Sequence, residues 1–389
     1  MQIIETENLE VKSWCGEIEV NAMRQIMNLS KLPFAFHHIA LMPDCHSGYG
    51  MPIGGVLACQ NVIIPNAVGV DIGCGMHAVK TSLTEIDIEK LKHILDAIRG
   101  QIPLGFDHRK TPVEITSLEE WKEKTKTDMT VVSRQYYAAT FQAGTLGGGN
   151  HFIEIQKGSD GYIWFMIHSG SRNIGKQVAD YYNREAKEMN ALYFSSVPRE
   201  ADLAFIPVGS PFFKEYLAEM NFCVEFAAFN RNLMADIIKE IFLKENSACS
   251  FNDEIDIAHN YCKNEKHFDT NVWVHRKGAT AASEGQIGII PGSQGTKSYI
   301  VKGLGNAESF KSCSHGAGRA MGRKEAIRTL NLEAEKERLD AQGILHSIRG
   351  KSDLEEAPSA YKNIETVMEA QKDLVEIQIE LSPLAVVKG

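Results

Sequence analysis

The chain has 389 residues, of which 43% are hydrophobic and 23% are charged, a composition typical of a folded globular protein rather than a disordered or fibrous one. Its formal net charge of −9 argues against a protein that coats nucleic acid through bulk positive charge, but not against a single basic groove. The eight cysteines are scattered and form no compact disulfide framework, so we expect reduced thiols and a cytoplasmic protein.

The first quarter of the chain predicts strands and one clear helix. Residues 1–14 lack the basic and apolar segments of an export signal, and no later stretch approaches the roughly 18 apolar residues of a membrane-spanning helix, so we expect no membrane partner. Two strands separated by a Pro65–Asn66 turn are predicted by residues 56–70, VLACQNVIIPNAVGV. A helix capped by Gly100 is predicted by residues 85–100, EIDIEKLKHILDAIRG.

Further elements follow along the chain. A strand that ends at His168 is predicted by GYIWFMIHSGSR, and apolar residues at helical spacing predict a helix over 222–245. A charged, largely solvated helix is predicted over 324–340. Because strands and helices mix without strict alternation, and no repeat or linker divides the chain, we expect an α+β fold with residues 1–389 in one large domain.

Glycine-rich stretches are the most informative local feature. Glycine lets the backbone approach a ligand closely and leaves amides free for anions, although an ordinary turn explains any single stretch. Four of the five stretches contain or adjoin a histidine, which favours loops around a binding cleft. They are residues 47–55, 144–149, 168–175, 291–295 and 315–322.

Five side chains near these loops have the chemistry of metal ligands. One carboxylate, one thiolate and three imidazoles would suffice for two metal ions if the thiolate bridged them. They are Asp71, Cys74, His151, His168 and His259. Each is also explained by a structural role, such as a turn former for Asp71 or a small core residue for Cys74. No Cys-x-x-Cys spacing is present, so the residues alone leave both interpretations open.

His315 lies between small residues in the stretch SCSHGAGR. A neutral imidazole is a nucleophile, and one with its second nitrogen fixed by a hydrogen bond could attack phosphorus. Arg319, Arg323 and Arg172 have the planar guanidinium group that binds phosphate oxygens in pairs. The alternative for His315 is a buried histidine in a glycine-rich turn before a helix.

Short blocks of sequence, in order from residue 42 to the last residue, together carry a resemblance. They are MPDCHSGYGMPIGGVLA (42–58), NAVGVDIGCGM (66–76), GTLGGGNHFIEI (144–155), IHSGSRNIG (167–175), HNYC (259–262), HRKGAT (275–280), PGSQGTKSYIV (291–301), SHGAGR (314–319) and the terminal LAVVKG. Jointly these blocks resemble the RtcB family, whose members are GTP-dependent RNA ligases. The resemblance implies an α+β domain of the RtcB type, with the active site in a central cleft lined by glycine-rich loops.

The resemblance also implies roles for individual residues. It implies that Asp71, Cys74, His151, His168 and His259 bind metal, with Cys74 bridging two ions, and that His315 becomes guanylylated. Contacts to the nucleotide are implied for Asn150, Phe152, Glu154, Ser293, Ser298, Gly316, Ala317, Gly318, Tyr361 and Lys388, with Glu154 reading the guanine edge. Phosphate or RNA contacts are assigned to Arg172, Arg319 and Arg323.

The chemistry implied by the resemblance joins an RNA 2′,3′-cyclic phosphate or 3′-phosphate end to a 5′-hydroxyl end. His315 takes GMP from GTP, passes it to the RNA 3′-phosphate to form an RNA(3′)pp(5′)G end, and the 5′-hydroxyl then displaces GMP. The family implies two Mn²⁺ ions, whereas the softness of a thiolate and imidazoles favours zinc or cobalt. A role in tRNA splicing or RNA repair and an activating partner of the archease type are further expectations.

The chain departs from the RtcB pattern in two places. Residues 279–291 look trimmed, and residues 101–140 resemble nothing assigned. An alternative function uses the same five ligands without a histidine nucleophile, namely a dinuclear metal-dependent phosphodiesterase or nuclease. A module that binds RNA ends without chemistry is a further alternative.

Overall fold

The computed structural model describes every residue from Met1 to Gly389. The strands are β1 Gln2–Ile4, β2 Val11–Ser13, β3 Ala35–His46, β4 Ile53–Cys59, β5 Val62–Ile63, β6 Gly75–Thr81, β7 Phe152–Gly158, β8 Ile163–Ser169, β9 Ile206–Pro207, β10 Phe251–Ala258, β11 Asn260–His267, β12 Thr270–Lys277, β13 Ala279–Ala281, β14 Ile287–Ile290, β15 Ser298–Gly303, β16 Ser312–Ser314 and β17 Val375–Lys388. The helices are α1 Val20–Ser30, α2 Pro65–Val68, α3 Ile88–Gln101, α4 Leu118–Thr125, α5 Thr130–Gln142, α6 Arg172–Leu192, α7 Pro211–Glu245, α8 Arg323–Thr329, α9 Leu332–Asp340 and α10 Ile364–Ala370.

Two large sheets organise the chain. One has six strands in the order β1-β2-β3-β4-β12-β11, and the other has seven in the order β10-β6-β8-β7-β17-β15-β14. Every neighbouring pair in the seven-stranded sheet is antiparallel, and only β2 and β3 run parallel in the six-stranded sheet. Mostly antiparallel sheets with separate helices are the α+β class expected from the sequence.

The alternation of side chains along β3 explains how the six-stranded sheet is covered on both faces. Ile39 and Leu41 pack with α1, whereas Ala40 and Met42 join a cluster that contains residues of β14 and β15. Successive side chains of a strand point to opposite faces, so one apolar strand serves two cores.

The seven-stranded sheet curls on itself. Ile257 of β10 and Ile289 of β14, at opposite edges of the sheet, belong to the same buried cluster. On the outer face, Val79 and Phe165 pack against α3 and α7, the second of which is about 50 Å long. The long helix α7 therefore packs across β6 and β8.

Several predicted elements differ from the observed ones. Ala67–Val70 forms no strand, because Pro65 occupies the first turn of α2, where its fixed φ and missing N–H suit a helix. Gly100 lies inside α3 and does not cap it, since the helix continues to Gln101. The strand predicted to end at His168 is β8, which ends at Ser169.

The two other helix predictions also need correction. The helix predicted from 222 begins earlier, at Pro211. The helix predicted over 324–340 is two helices, because the side chain of Asn331 accepts a hydrogen bond from the amide of Ala334 and starts α9. Residues 101–140, left unassigned from the sequence, contain α4 and the first part of α5. No helix combines the length and apolar composition needed to cross a lipid bilayer.

Candidate metal centre and nucleotide pocket

The loop between α2 and β6 carries Asp71 and Cys74. Gly73 has a φ of +75°, and a Cβ there would lie 2.8 Å from Cα of Val224 in α7, so both backbone conformation and space require glycine. The amide of Gly73 donates to the carbonyl of Asn260, and the Asn260 side chain donates to the carbonyl of Asp71. The loop is thus anchored between α7 and the start of β11.

The histidines come from the ends of neighbouring strands in the seven-stranded sheet. His168 lies near the end of β8, His151 directly precedes β7, and His259 separates β10 from β11. In the register of the sheet, His168 is opposite both Phe152 and Met76. The start of β7, the end of β8 and the start of β6 therefore lie side by side at one end of these three strands. Strand order brings together residues that are far apart in the sequence.

The predicted ligands form two groups that share one sulfur atom. In one group the ligand atoms of Cys74, His168 and His259 all lie within 4.8 Å of one another, and in the other those of Asp71, Cys74 and His151 do. Sγ of Cys74 lies 3.5 Å from Nε2 of His151 and 3.3 Å from Nε2 of His168. Oδ2 of Asp71 is 3.2 Å from Nε2 of His151. The structure therefore brings all five together.

A backbone carbonyl sets the tautomer of His168, whose Nδ1 donates to the carbonyl of Asn150 at 3.1 Å. Nδ1 of His151 lies 3.0 Å from the carbonyl of Leu146 and 3.0 Å from Nη1 of Arg172. Nε2 of His168 consequently carries a lone pair directed at the thiol, and Nε2 of His151 faces both the thiol and Asp71. Lone pairs that converge in a buried space repel one another unless a cation binds, and imidazoles with a thiolate suit a transition metal.

The pKa shifts in the cluster agree with its candidate role as a set of metal ligands. Burial, together with the charge of Asp71, raises the pKa of the Cys74 thiol, and burial lowers the pKa of His168 and His259. Burial opposes ionisation of Asp71, but the hydrogen bond with His151 prevails and lowers its pKa to about 2. Burial therefore favours the neutral imidazoles of His168 and His259, as metal ligation requires, and a bound cation would favour the thiolate.

Arg231 of α7 supports the cluster from behind. Its Nε and Nη2 donate to the two carboxylate oxygens of Asp256 at 2.7 Å each, and its Nη1 donates to the carbonyls of Gly73 and Ser169 at 3.0 Å each. These carbonyls adjoin Cys74 and His168. Arg231 was not among the predicted residues, although an arginine within an apolar helical pattern was a signal in the sequence, and the structure buries it fully.

His315 follows β16 and lies beside the cluster. The centroids of its ring and the His259 ring are 4.8 Å apart. Its Nδ1 is 2.6 Å from Oδ2 of Asp44, which also accepts the backbone amides of His315 and Gly316. Burial opposes ionisation of Asp44, but the charge and hydrogen bond of His315 hold its pKa below the usual range. Asp44 was missed, although an acid within the buried apolar strand β3 was a signal.

A cavity of about 300 Å³ opens at His315. Among the residues that line it are most of the predicted nucleotide contacts, which are Asn150, Phe152, Glu154, Ser293, Gly316, Ala317, Gly318, Tyr361 and Lys388. Ser298 does not line the cavity; its hydroxyl accepts the amide of Gly292 and shapes the loop over residues 291–295. Pro291, Gln294 and Glu356 line the cavity and were not predicted.

The charged groups of the cavity are partly engaged with one another. The buried carboxylate of Glu356 contacts Arg319 at 3.1 Å and Lys388 at 3.1 Å, and it accepts the hydroxyl of Tyr361. Arg319 also donates to the carbonyls of Met321 and Glu355, so all three of its nitrogens have protein partners. Arg319 nevertheless lines the cavity, so its contact with phosphate stays a prediction.

Comparison with known proteins adds to this geometry. A family model described as tRNA-splicing ligase RtcB matches residues 25–389. The chain belongs to the RtcB family. It is 38% identical to the RNA-splicing ligase RtcB of Escherichia coli strain K12, over 100% of this chain and 99% of that protein. It is 34% identical to the tRNA-splicing ligase RtcB of Methanococcus maripaludis, over 96% of this chain and 92% of that protein.

Membership of the RtcB family extends to further bacteria. The RNA-splicing ligase RtcB of Mycobacterium tuberculosis is 32% identical, over 94% of this chain and the whole of that protein. The range matched by the family model includes both ligand groups, His315 and the C-terminal strand β17.

Proposed function

We propose that this protein is a GTP- and metal-dependent RNA ligase that joins 2′,3′-cyclic phosphate or 3′-phosphate ends to 5′-hydroxyl ends through guanylylated His315. The observation that supports the proposal is the proximity of the His315 and His259 rings, because the imidazole of His315 lies both beside the candidate metal ligands and at the cavity. We assign the activity to residues 1–389 as one domain, with a central cleft lined by glycine-rich loops. Dependence on GTP and RNA supports a cytoplasmic location.

The two groups of candidate ligands would suit two metal ions, since Cys74 belongs to both groups. One ion would be held by Asp71, Cys74 and His151, and the other by Cys74, His168 and His259. We assign Mn²⁺, as in the family expectation, and treat zinc and cobalt as ions that would also bind these donors. When bound, such ions neutralise charge on phosphate oxygens and lower the barrier to displacement at phosphorus.

His315 is the proposed nucleophile. Because the Nδ1–H group donates a hydrogen bond to Asp44, Nε2 carries the lone pair that attacks the α-phosphorus of GTP. The Nε2–P bond forms as the bond from the α-phosphorus to the bridging oxygen breaks, and pyrophosphate leaves. The RNA 3′-phosphate then takes GMP from His315, and the 5′-hydroxyl displaces GMP to form the 3′,5′-phosphodiester.

Asp44 is a positioning residue for this step. Replacing Asp44 by Asn would remove the negative acceptor that fixes the tautomer of His315, so we expect guanylylation to slow by about 100-fold or more while the affinity for GTP changes little. Single-turnover labelling at saturating GTP, with GTP binding measured separately, checks the result. Unchanged labelling of a folded D44N protein would show that Asp44 does not direct His315.

The guanine base is proposed to bind between Phe152 and Glu154 on β7. Burial raises the pKa of Glu154 to about 8, so its carboxyl group is mostly protonated at neutral pH in the free protein. Guanine presents two N–H donors that need a carboxylate acceptor. Binding of GTP should therefore release a proton from Glu154.

This coupling predicts a pH dependence. As the pH increases toward 8, the affinity for GTP should rise by up to about tenfold per pH unit, and above pH 8 it should level off. Titration calorimetry on the His315→Ala protein, which prevents turnover, measures the affinity and the released proton in buffers of different ionisation enthalpy. The H315A/E154Q double variant is the matched control, because glutamine cannot titrate; an identical pH profile in both proteins would refute the assignment.

The RNA ends are proposed to meet Arg172 and Arg323. Both guanidinium groups lie against the glycine-rich stretch 144–149, over Gly147 and Gly149 respectively. Arg319, whose guanidinium has more protein acceptors, lines the cavity and is proposed as a third phosphate contact. Transfer-RNA halves and nicked RNA both present the required ends, and an archease-type protein is proposed as an activator.

Joining of a defined pair of RNAs tests the proposal. A 3′-phosphate donor and a 5′-hydroxyl acceptor, incubated with the protein, GTP and Mn²⁺, should produce a joined strand that resists phosphatase, and omission of GTP should prevent joining. A dinuclear phosphodiesterase or nuclease would instead shorten or open the RNA without GTP. Binding without joining or cleavage would indicate a module that only recognises RNA ends.

A further inference from the structure

The loop of residues 103–110 lies beside the candidate site, although no block of the family resemblance includes it. The amide of Gly105 donates to the carbonyl of Gly147 at 3.1 Å, and the amide of Leu146 donates to the carbonyl of Pro103 at 3.0 Å. Gly147 is in the glycine-rich stretch that leads into Asn150 and His151. The loop therefore continues the rim of the cleft next to this glycine-rich stretch.

Phe106 projects from this rim into solvent. Its side chain is 99% exposed, and the left-handed backbone of Gly105, with a φ of +60°, turns the chain outward just before it. A fully exposed phenylalanine makes no packing contribution, and its ring presents both faces to a ligand.

Two cationic side chains, Arg109 and Lys110, follow Phe106 in the same loop, which also contains the acidic Asp107. Arg109 forms no ion pair, and its Nε and Nη1 atoms are buried without hydrogen-bond partners. Its Nη1 lies beside Gly144, at the start of the same glycine-rich stretch that Arg172 covers at Gly147. Lys110 adds a second unpaired cation. On a chain with a net charge of −9, a loop whose two unpaired cations outnumber its one acid complements a polyanion rather than another copy of the chain.

We propose that Phe106 stacks on a nucleobase of the RNA close to the reacting end, and that Arg109 provides the positive charge for the adjoining backbone phosphate. The inference rests on the proposed function, since it names a subsite for the same RNA. Stacking on an aromatic ring tolerates any base, whereas an arginine beside it selects for the phosphate backbone. The subsite therefore strengthens binding without restricting sequence.

Variants of Phe106 separate stacking from simple apolar contact. Phe106→Ala and Phe106→Leu should each weaken binding of a 3′-phosphate oligoribonucleotide by between about fivefold and 100-fold, whereas Phe106→Trp should retain it. Labelling of His315 by GTP without RNA should be unchanged in all three. Phe194→Ala is the matched control, since Phe194 is 93% exposed beyond the far end of α6, about 30 Å along that helix from Arg172.

Photocrosslinking provides a direct readout that does not depend on activity. RNA with 5-iodouridine near its 3′-phosphate should crosslink to the peptide that contains Phe106, and the crosslink should disappear in Phe106→Ala. If the wild-type protein joins RNA but Phe106→Ala binds RNA normally and no crosslink forms, this inference is wrong and the ligase proposal stands. If the wild-type protein neither becomes labelled nor joins RNA, the ligase proposal itself fails.

Discussion

Replacement of His315 by alanine is expected to abolish transfer of GMP from GTP to the protein, by more than about 1,000-fold. The imidazole is the only group of the protein proposed to form a bond to phosphorus, and removal of this nucleophile leaves only binding and electrostatic contributions. Incubation with α-labelled GTP and Mn²⁺, followed by denaturing electrophoresis, measures the adduct. A phosphoramidate is recognised because it is labile in acid and stable in alkali.

His93→Ala is the matched control for this result, because His93 is exposed on α3 and lies outside the cavity. It should label like the wild-type protein. Retained labelling in His315→Ala, with acid-labile chemistry, would assign the adduct to another histidine. The His315→Ala protein should still join RNA that already carries the 3′-ppG end, because that last step requires no transfer to His315.

Replacement of Cys74 by serine is expected to impair both metal sites at once. The sulfur belongs to both donor groups, and a serine hydroxyl at neutral pH is neither a thiolate nor a bridging ligand. Dialysis against a buffered concentration of free Mn²⁺ and elemental analysis should give two ions per wild-type chain. In Cys74→Ser the affinity for both should fall by at least about tenfold, and both guanylylation and joining should be lost.

Two comparisons make the Cys74 result specific. Cys249→Ser, a buried thiol after α7 and outside both donor groups, should bind metal normally. His259→Ala removes a ligand from one group only, so it should lose one ion and retain the other. Loss of a single ion in Cys74→Ser would show that the sulfur does not bridge.

The fold could be predicted from the sequence only where local signals dominate. Apolar residues at helical spacing predicted most of α7, and a continuous apolar run bounded by turn residues predicted β8, because burial determines each pattern. The break at Asn331 depends on one side chain competing for a backbone amide, which a charged helical pattern conceals. Pro65 and Asn66 were predicted to form a turn rather than the start of α2, because proline is favoured both in turns and in the first turn of a helix.

The site was less accessible to local reasoning. No spacing relates Cys74 to His259, since their meeting depends on β10 pairing with β6 across the sheet. The family resemblance supplied those residues, but it did not supply Asp44 or Glu356. The role of each of these acids depends on a contact with a distant residue, His315 for Asp44 and Lys388 for Glu356, and such contacts are visible only in three dimensions.

Anomalous diffraction from crystals of the protein grown with Mn²⁺ and GTP tests the central claim most directly. We predict two manganese peaks, one on each side of Sγ of Cys74, and continuous density from Nε2 of His315 to the phosphorus of GMP. One peak or none at Cys74, or GMP attached elsewhere than His315, would contradict the account.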